Sequence, residues 1–522
     1  MVLYVVLKAH RLCCFPYPTQ AILHGFAGLL PFFLPWQKDG RADVDFLRHE
    51  FGDMEVPVVE CSSSEGYGEE KRMSMTLREY LDVVHDGNRP PQEGAAHERA
   101  SDDGIGGKFL YLKDWHFQRL RREGGGGGGE DSDAATAAAV ETPFFFGDDW
   151  LNWWCDRQGQ DDYRFVYIGP SGSFTGLHHD VLNSFSWSYN VCGSKRWTLF
   201  PTEATPDLYD RHGRDLATDV RSGCTDPDKF PRLDAAPRLE VRQGPGEAIF
   251  VPSGWYHQVV NEGDGRPGGG GLTVSVNTNW FNGFNLARVF AFLRSELDAV
   301  RSALDHLRDS MSGGPGGRER REWERQCELV MRANSALNLT EFARLVVARA
   351  RLLLDTALAA GAGAGAGAGT DVASGDENLP PISGSREESN REIGRVGAAP
   401  ATAEALLRHH GGVCAGDERE KRWTILSLKQ IEIVLRELSA APCADHIFLA
   451  AVDNDDDDER SWDRNQSGAS GVPDGMWALG DAGIEAGDGM AGGNLRETLE
   501  AVEAYLSGRC QSKSPCELSP SV

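Results

Sequence analysis

The chain has 522 residues, long enough for two or three compact units, and its 61 glycines indicate that part of it lies outside any folded core. A formal net charge of −26 disfavours a surface that follows nucleic-acid phosphates, so a basic protein is the better expected partner. Its 11 cysteines form no matching pair of CxxC motifs and no apolar run reaches membrane-spanning length, so we expect no zinc finger, no membrane segment and a cytoplasmic, or also nuclear, location.

The N-terminal region is predicted to mix helices and strands. An apolar periodicity of 3.6 residues predicts helices over 43–51 and 76–85. A periodicity of two residues predicts strands over 55–60 and 109–112. Residues 1–30 are rich in apolar side chains but do not continue this pattern. A glycine run followed by acidic and alanine-rich sequence over 124–141 predicts an inserted loop.

A His-x-Asp triplet and a distant histidine make up the first candidate site. His178 and Asp180 would share one face of a strand, since side chains alternate, while His179 faces the other side. His257 follows a short apolar strand at 246–252 that ends in a turn. Two imidazoles and one carboxylate hold non-haem Fe(II) and leave positions open for chemistry. A lone His-x-Asp triplet also arises by chance about once in a chain of this size.

A second candidate site is an inward-facing lysine. In the segment 193–201, alternation places Lys195 on the same face as Trp197 and Leu199. A buried lysine is costly unless it meets an anion, so Lys195 is interpreted as the counter-ion of an acidic cosubstrate. The alternative is a lysine that snorkels at a sheet edge. Thr175 would add a hydroxyl donor to the same anion.

The C-terminal part is predicted to be helical. Apolar residues recur at spacings of three and four over 287–307, 322–336 and 339–359. A glycine-alanine repeat then opens a polar linker that runs to about residue 420. Two more helices are predicted over 423–441 and 494–508, and we expect the first to pack against the 287–359 helices.

Most of the chain between residues 36 and 358 resembles a known enzyme family. The segments are similar to Jumonji-C (JmjC) oxygenases, which use Fe(II), 2-oxoglutarate and O2, and among them to the jumonji domain-containing protein 4 subgroup. That subgroup hydroxylates a lysine of the eukaryotic translation termination factor. The resemblance is carried by Phe109–His116, Asp148–Asn152, Asp162–Pro170, Ser186–Gly193, Phe250–Trp255, Asn277–Gly283 and Trp323–Cys327.

The resemblance implies an α+β fold: a double-stranded β-helix, or cupin-like jelly roll, with an N-terminal α/β cap and a C-terminal helical subdomain. The expected organisation is a cap (1–104, with 1–30 atypical), the JmjC catalytic domain (105–300), C-terminal helices (301–359), a disordered linker (360–420), a helix packing on the core (421–450), an acidic, glycine-rich disordered tract (451–492) and a last helix with its tail (493–522).

The resemblance also assigns roles to residues of the two candidate sites. His178, Asp180 and His257 match the family's iron ligands, which are also its catalytic residues. Lys195 and Thr175 match the pair that binds the distal carboxylate of 2-oxoglutarate.

Three further residues match positions near the cosubstrate. Asn279 matches a polar position beside the metal and cosubstrate. Tyr111 lies where related enzymes place a tyrosine hydroxyl on 2-oxoglutarate, with a plain core tyrosine as the alternative. Ser188 occupies a position where some relatives carry asparagine.

Three functions are therefore expected candidates. The leading one is a protein lysyl hydroxylase that acts on the translation termination factor, because a non-catalytic fold need not retain a complete open metal site. The others are a JmjC lysine demethylase, which differs only in the C–H bond presented, and a JmjC-shaped binding module without turnover.

Overall fold

The structure is a computed structural model that describes residues 22–23, 30–61, 71–85, 109–124, 142, 146–263, 271–311, 317–335, 337–366, 414–440 and 495–508. The chain divides into two units, residues 1–345 and 346–522. The predicted insertion at 124–141 and the acidic tract at 451–492 lie outside the described residues, apart from Gly124.

Unit 1 is built on antiparallel strands. In chain order these are β1 (Ile22–Leu23), β2 (Gln37–Lys38), β3 (Arg41–Ala42), β4 (Glu55–Cys61), β5 (Lys71–Thr76), β6 (Phe109–Trp115), β7 (Arg164–Pro170), β8 (Phe174–His178), β9 (Phe185–Cys192), β10 (Ser194–Phe200), β11 (Leu239–Gln243), β12 (Ala248–Val251), β13 (Tyr256–Gly263) and β14 (Leu272–Trp280).

These strands form two principal sheets. The larger has the order β1-β12-β9-β14-β7-β6-β4-β5, and the smaller has the order β11-β10-β13-β8. Consecutive strands of the chain alternate between the two sheets from β7 to β10 and again from β11 to β14, as in a double-stranded β-helix, while β10 and β11 are neighbours in the smaller sheet. Together with the helices, this confirms the expected α+β class and jelly-roll core.

The helices are divided between the two units. Those of unit 1 are α1 (Val44–Phe51), α2 (Leu77–Val84), α3 (Phe117–Gly124), α4 (Trp150–Gln158), α5 (Leu286–Met311) and α6 (Gly317–Ser335); α7 (Leu339–Ala366) crosses the boundary between the units; and those of unit 2 are α8 (Cys414–Ala440) and α9 (Leu495–Leu506). None of the described helices combines the length and the apolar character needed to cross a bilayer.

The N-terminal cap follows the sequence prediction closely. Asp43 caps α1 by accepting a hydrogen bond from the Phe46 amide, and Thr76 caps α2 in a capping box with Glu79. The cap packs its aromatic residues against the outer face of the large sheet, where Trp36 and Trp115 are fully buried. This cluster leaves the opposite face of the sheet free to line the barrel interior.

Two boundaries differ from the sequence prediction. Within residues 1–30, β1 pairs with β12 at the edge of the large sheet, so part of the atypical segment belongs to the fold. Helix α7 continues to Ala366 and α8 begins at Cys414, so both helices extend into the expected 360–420 linker. Long-range pairing and helix extension are tertiary effects that local composition does not reveal.

Unit 2 contains a helix pair. Helices α8 and α9 contact each other, and the Arg436 guanidinium lies 2.9 Å from the Glu503 carboxylate across that contact. Buried Leu428, Ile431 and Val434 recur at helical spacing on α8. The expected packing of this helix against the 287–359 helices stays a prediction.

Candidate metal centre

The two histidines of the candidate centre come from adjacent strands of the small sheet. His178 is the last residue of β8, and it lies directly opposite His257 near the start of β13. Their ring centroids are 4.3 Å apart. One ligand atom from each histidine and from Asp180 all lie within 4.8 Å of one another.

Asp180 reaches this cluster from a loop, not from a strand. Strand β8 ends at His178, and Asp180 precedes a short 3-10 turn, Val181–Asn183. The prediction that alternation along one strand places His178 and Asp180 together is therefore wrong in its reason, although the two side chains do meet. His179 points away, as expected, and its ring packs against Tyr256 and Phe292.

Main-chain carbonyls set the tautomers of both histidines. Nδ1 of His178 donates to the Gly176 carbonyl over 2.8 Å, and Nδ1 of His257 donates to the Trp255 carbonyl over 3.2 Å. These contacts fix each ring in the tautomer whose Nε2 carries the lone pair. Burial, followed by the neighbouring charge of His257, holds the pKa of His178 well below its usual value. A neutral imidazole is the form that a metal ligand requires.

Two glycines make the local backbone paths feasible. Gly254 has φ +76°, a left-handed conformation that turns the chain between β12 and β13 and so places His257. A Cβ on Gly176 would lie 2.8 Å from the Thr218 carbonyl, which accepts a hydrogen bond from the Leu177 amide. The segment that follows β10 thus packs closely on β8 just before His178.

Lys195 is buried inside the barrel, at 2% exposure. Its Nζ donates to Ser275 Oγ over 2.6 Å and lies 5.6 Å from the Tyr167 ring. Burial lowers the pKa of this amine to about 7. Among the described residues Lys195 forms no ion pair. This geometry fits a lysine that binds an anion inside the barrel better than a lysine that snorkels at a sheet edge.

Strand β14 connects the lysine to the histidine cluster. Ser275, Asn277 and Asn279 alternate along it and share one face. On β9 they lie opposite Asn190, Ser188 and Ser186. Ser275 contacts Lys195, and the Asn279 amide donates to Asp180 Oδ1 over 2.8 Å. Four residues of strand span about 13 Å, so a small dicarboxylate fits between the two ends once side-chain reach is subtracted.

The other predicted cosubstrate residues occupy the same interior. Burial raises the pKa of the Tyr111 hydroxyl, and the nearby polar side chains of Asn261 and Thr175 lower it by a smaller amount. The Tyr111 ring lies 6.1 Å from that of Tyr167, beside Lys195. Thr175 and Tyr111 therefore stand at the lysine end of the cavity.

Ser188 and Asn279 are both hydrogen bonded to other polar side chains of this interior. Ser188 donates to Asn277 Oδ1 over 2.9 Å. The Asn279 amide donates to the Asp180 carboxylate, so it lies beside the candidate metal ligands, as predicted, and the predicted contacts of both residues with the cosubstrate stay predictions.

Four residues of this interior escaped the sequence prediction: Ser186, Ser275, Asn277 and Lys113. Ser186 donates to Asp180 Oδ2 over 2.7 Å. Lys113 is 2% exposed, and its charge contributes to the low pKa of His178 after burial and His257. Serine and asparagine inside a strand carry no local signal of a site. The alternation of polar residues on β9 and β14 was the available clue.

The donor set fits Fe(II). Two imidazoles and one carboxylate converge, and among the described residues no fourth histidine, cysteine or carboxylate completes the group. An incomplete shell of this kind is the facial arrangement that leaves coordination positions for other ligands. The buried amine of Lys195 provides the matching charge for an anion placed next to such a metal.

Comparison with known proteins agrees with this geometry. A sequence profile of the cupin-like domain family matches residues 21–286. The chain is 40% identical over 325 residues to the 2-oxoglutarate and iron-dependent oxygenase JMJD4 of Homo sapiens, covering 62% of this chain and 68% of the relative. It is 36% identical over 305 residues to the JMJD4 protein of Gallus gallus, covering 58% and 62%.

A plant relative bears a different name. The chain is 32% identical over 320 residues to the arginine-specific demethylase JMJ20 of Arabidopsis thaliana, covering 58% of this chain and 59% of the relative. The profile match over half of the chain and the extent of the human match together define the family. The chain belongs to the cupin-like JmjC family of 2-oxoglutarate- and iron-dependent oxygenases.

Proposed function

We propose that this protein is a protein hydroxylase in which His178, Asp180 and His257 hold Fe(II), and Lys195 holds the distal carboxylate of 2-oxoglutarate. The main observation behind this proposal is that one barrel interior contains both a three-ligand cluster and a buried lysine that forms no ion pair with any described residue. Ser275, which contacts the lysine amine, and Thr175 and Tyr111, which stand beside it, supply further donors at that end.

The residues of the chain have distinct tasks in this reaction. When bound, Fe(II) with 2-oxoglutarate and O2 supplies the oxidising power to insert one oxygen atom into a C–H bond, and 2-oxoglutarate becomes succinate and CO2. Lys195 and Ser275 fix the far end of the cosubstrate, which sets how its other end meets the metal. Buried Trp197, Ile249 and Val259 form an apolar wall near His257 that keeps water from that side.

The proposed substrate is a lysine side chain of the eukaryotic translation termination factor, hydroxylated on an aliphatic carbon. Support comes from the likeness to the jumonji domain-containing protein 4 subgroup and from the net charge of −26, which favours encounter with a basic segment. Demethylation of an arginine or lysine is the second candidate, because the Arabidopsis relative is named as an arginine demethylase.

Mass spectrometry of candidate substrates separates these functions. We expect recombinant termination factor, incubated with the enzyme, Fe(II), 2-oxoglutarate and ascorbate, to gain the mass of one oxygen atom on one lysine-containing peptide. A reaction with Asp180→Ala protein is the matched control. If a methylated histone peptide instead loses the mass of a methylene group and the termination factor is unmodified, the protein is a demethylase and not a hydroxylase. Its assignment as an oxygenase would stand.

Binding of 2-oxoglutarate is expected to weaken as pH rises. The anion pairs with protonated Lys195, whose pKa in the free protein is about 7, so affinity is highest below pH 7. Above that value the dissociation constant should rise by about tenfold per pH unit, since each binding event must take up a proton. The Tyr111 hydroxyl should not contribute to this pH dependence, because burial raises its pKa.

Calorimetry with Mn(II)-loaded protein, in buffers of different ionisation enthalpy, measures both the affinity and the proton uptake. The range from pH 6 to pH 9 extends to both sides of the pKa of the Lys195 amine. A dissociation constant that stays constant over this range would contradict a lysine that must take up a proton to bind the anion.

A further inference from the structure

Asp180 is the ligand with the least support from secondary structure. The two histidines belong to paired strands, whereas Asp180 lies in the loop between β8 and the 181–183 turn. A side chain on a loop can rotate unless other groups hold it. A metal centre needs each ligand held in a narrow range of orientations, so the means by which Asp180 is held matters for the whole centre.

Both oxygens of the Asp180 carboxylate accept a hydrogen bond from a neutral side chain. Ser186 Oγ donates to Oδ2 over 2.7 Å, and Asn279 Nδ2 donates to Oδ1 over 2.8 Å. The donors come from β9 and β14, where Ser186 and Asn279 are directly opposite each other. Two donors on two oxygens determine the plane of the carboxylate, and each oxygen still has a lone pair for a metal.

The donors are themselves held in place. The main-chain amide of Asn279 donates to the Tyr163 carbonyl, and its main-chain carbonyl accepts from Asn152 Nδ2, both over 2.9 Å. Asn152 lies in α4 and is fully buried. Ser186 and Asn279 are each 7% exposed, so water competes little for their hydrogen bonds.

The donors orient the charge of Asp180 without neutralising it. Asp180 is 9% exposed, and in the described part of the chain it forms no ion pair. A hydrogen-bonded but unpaired buried carboxylate retains a strong attraction for a cation. Asp180 is therefore held in one orientation, and its carboxylate can still attract a cation.

We infer that Ser186 and Asn279 are positioning residues that orient Asp180 for the metal before the metal arrives. The inference rests on the proposed role of Asp180 as an iron ligand. It gives Asn279, which was predicted to lie beside the metal and cosubstrate, a specific task as a support of the carboxylate. It also gives each ligand a partner, since the main chain supports the histidines and two side chains support Asp180.

Metal titration of single variants tests this role without any measurement of turnover. Protein freed of metal is titrated with Co(II), whose visible absorption reports the number and kind of its ligands. We expect Ser186→Ala and Asn279→Leu each to raise the Co(II) dissociation constant by about 10- to 100-fold and to change the shape of the absorption bands. Leucine has a size similar to asparagine but no donor. Ser186→Thr, which keeps a hydroxyl, should restore binding.

Two further variants make the result interpretable. Ser173→Ala removes an equally buried hydroxyl, which donates to the Pro170 carbonyl away from the cluster, and should leave Co(II) binding unchanged. Asp180→Ala should lose most of the affinity. If Asp180→Ala does so while Ser186→Ala and Asn279→Leu bind Co(II) like the unaltered protein, the positioning role is wrong and the proposed function stands. If Asp180→Ala binds normally, the ligand assignment itself fails.

Discussion

Replacement of His257 by alanine is expected to reduce 2-oxoglutarate turnover to background. The change removes one of three ligands from a cluster in which the described residues offer no substitute, so Fe(II) would be left with one histidine and one carboxylate. Succinate release and metal content after anaerobic reconstitution measure the effect. The same result is expected for His178→Ala, which lies opposite on β8.

His179→Phe is the matched control for these variants. His179 is adjacent in sequence to two ligands, but its ring packs against Tyr256 and Phe292; phenylalanine retains that packing and removes one hydrogen bond, from Nδ1 to the main-chain carbonyl of Asp180. We expect it to keep metal content and succinate release near those of the unaltered protein. Normal turnover by the His257→Ala protein would remove the basis of the proposed centre.

The second large effect is expected from Lys195→Met. Loss of the Lys195 amine, which contacts Ser275, should weaken 2-oxoglutarate binding by about 2–5 kcal/mol, roughly 30-fold to a few thousandfold in affinity, because the distal carboxylate would be buried without its counter-charge. Co(II) affinity should stay near that of the unaltered protein, since the side chain supports no ligand. Titration of the metal and then of 2-oxoglutarate measures the two affinities separately.

The same variant should stabilise the protein in the absence of 2-oxoglutarate. Burial lowers the pKa of Lys195 to about 7, so folding below that pH buries a charge, and this cost declines as pH rises towards the usual lysine value. Unfolding by urea at pH 6 and pH 9 should therefore show a larger gain for methionine at pH 6.

Arg196→Met is the control for the loss of a cation. Arg196 is the next residue on β10 but faces outward, where its guanidinium pairs with Glu262. It should change neither affinity by much. Equal weakening of Co(II) and 2-oxoglutarate by Lys195→Met would show that the variant disturbs the barrel as a whole.

The candidate site could be predicted from the sequence where it depends on residue types that are unusual at their positions. A histidine pair with a carboxylate is rare enough to be noticed, and an inward lysine on the same face as Trp197 and Leu199 contradicts the apolar character of that face. Alternation along β10 was correct because that strand pairs with β13 in an unbroken register from Lys195 to Phe200.

The rest depended on which strands become neighbours. Ser186 and Asn279 are 93 positions apart, and only the pairing of β9 with β14 makes them opposite each other. Asp180 was assigned to a strand because His-x-Asp fits a period of two, whereas β8 ends two residues earlier. Similarly, the pairing of β1 with β12 could not be deduced from a segment with no clear periodicity of its own.

Strand β14 has a further consequence for how the protein tolerates change. Its polar residues at 275, 277 and 279 face the cavity, while buried Val274, Val276 and Thr278 face the opposite side. A substitution on this strand alters one contact at a time. Deletion or insertion of a single residue would instead exchange the two faces, so that valines line the cavity and the amides enter the apolar core. Single substitutions can therefore change the composition of this strand one residue at a time, but its length must stay the same. We expect insertions and deletions between homologues to lie outside residues 272–280.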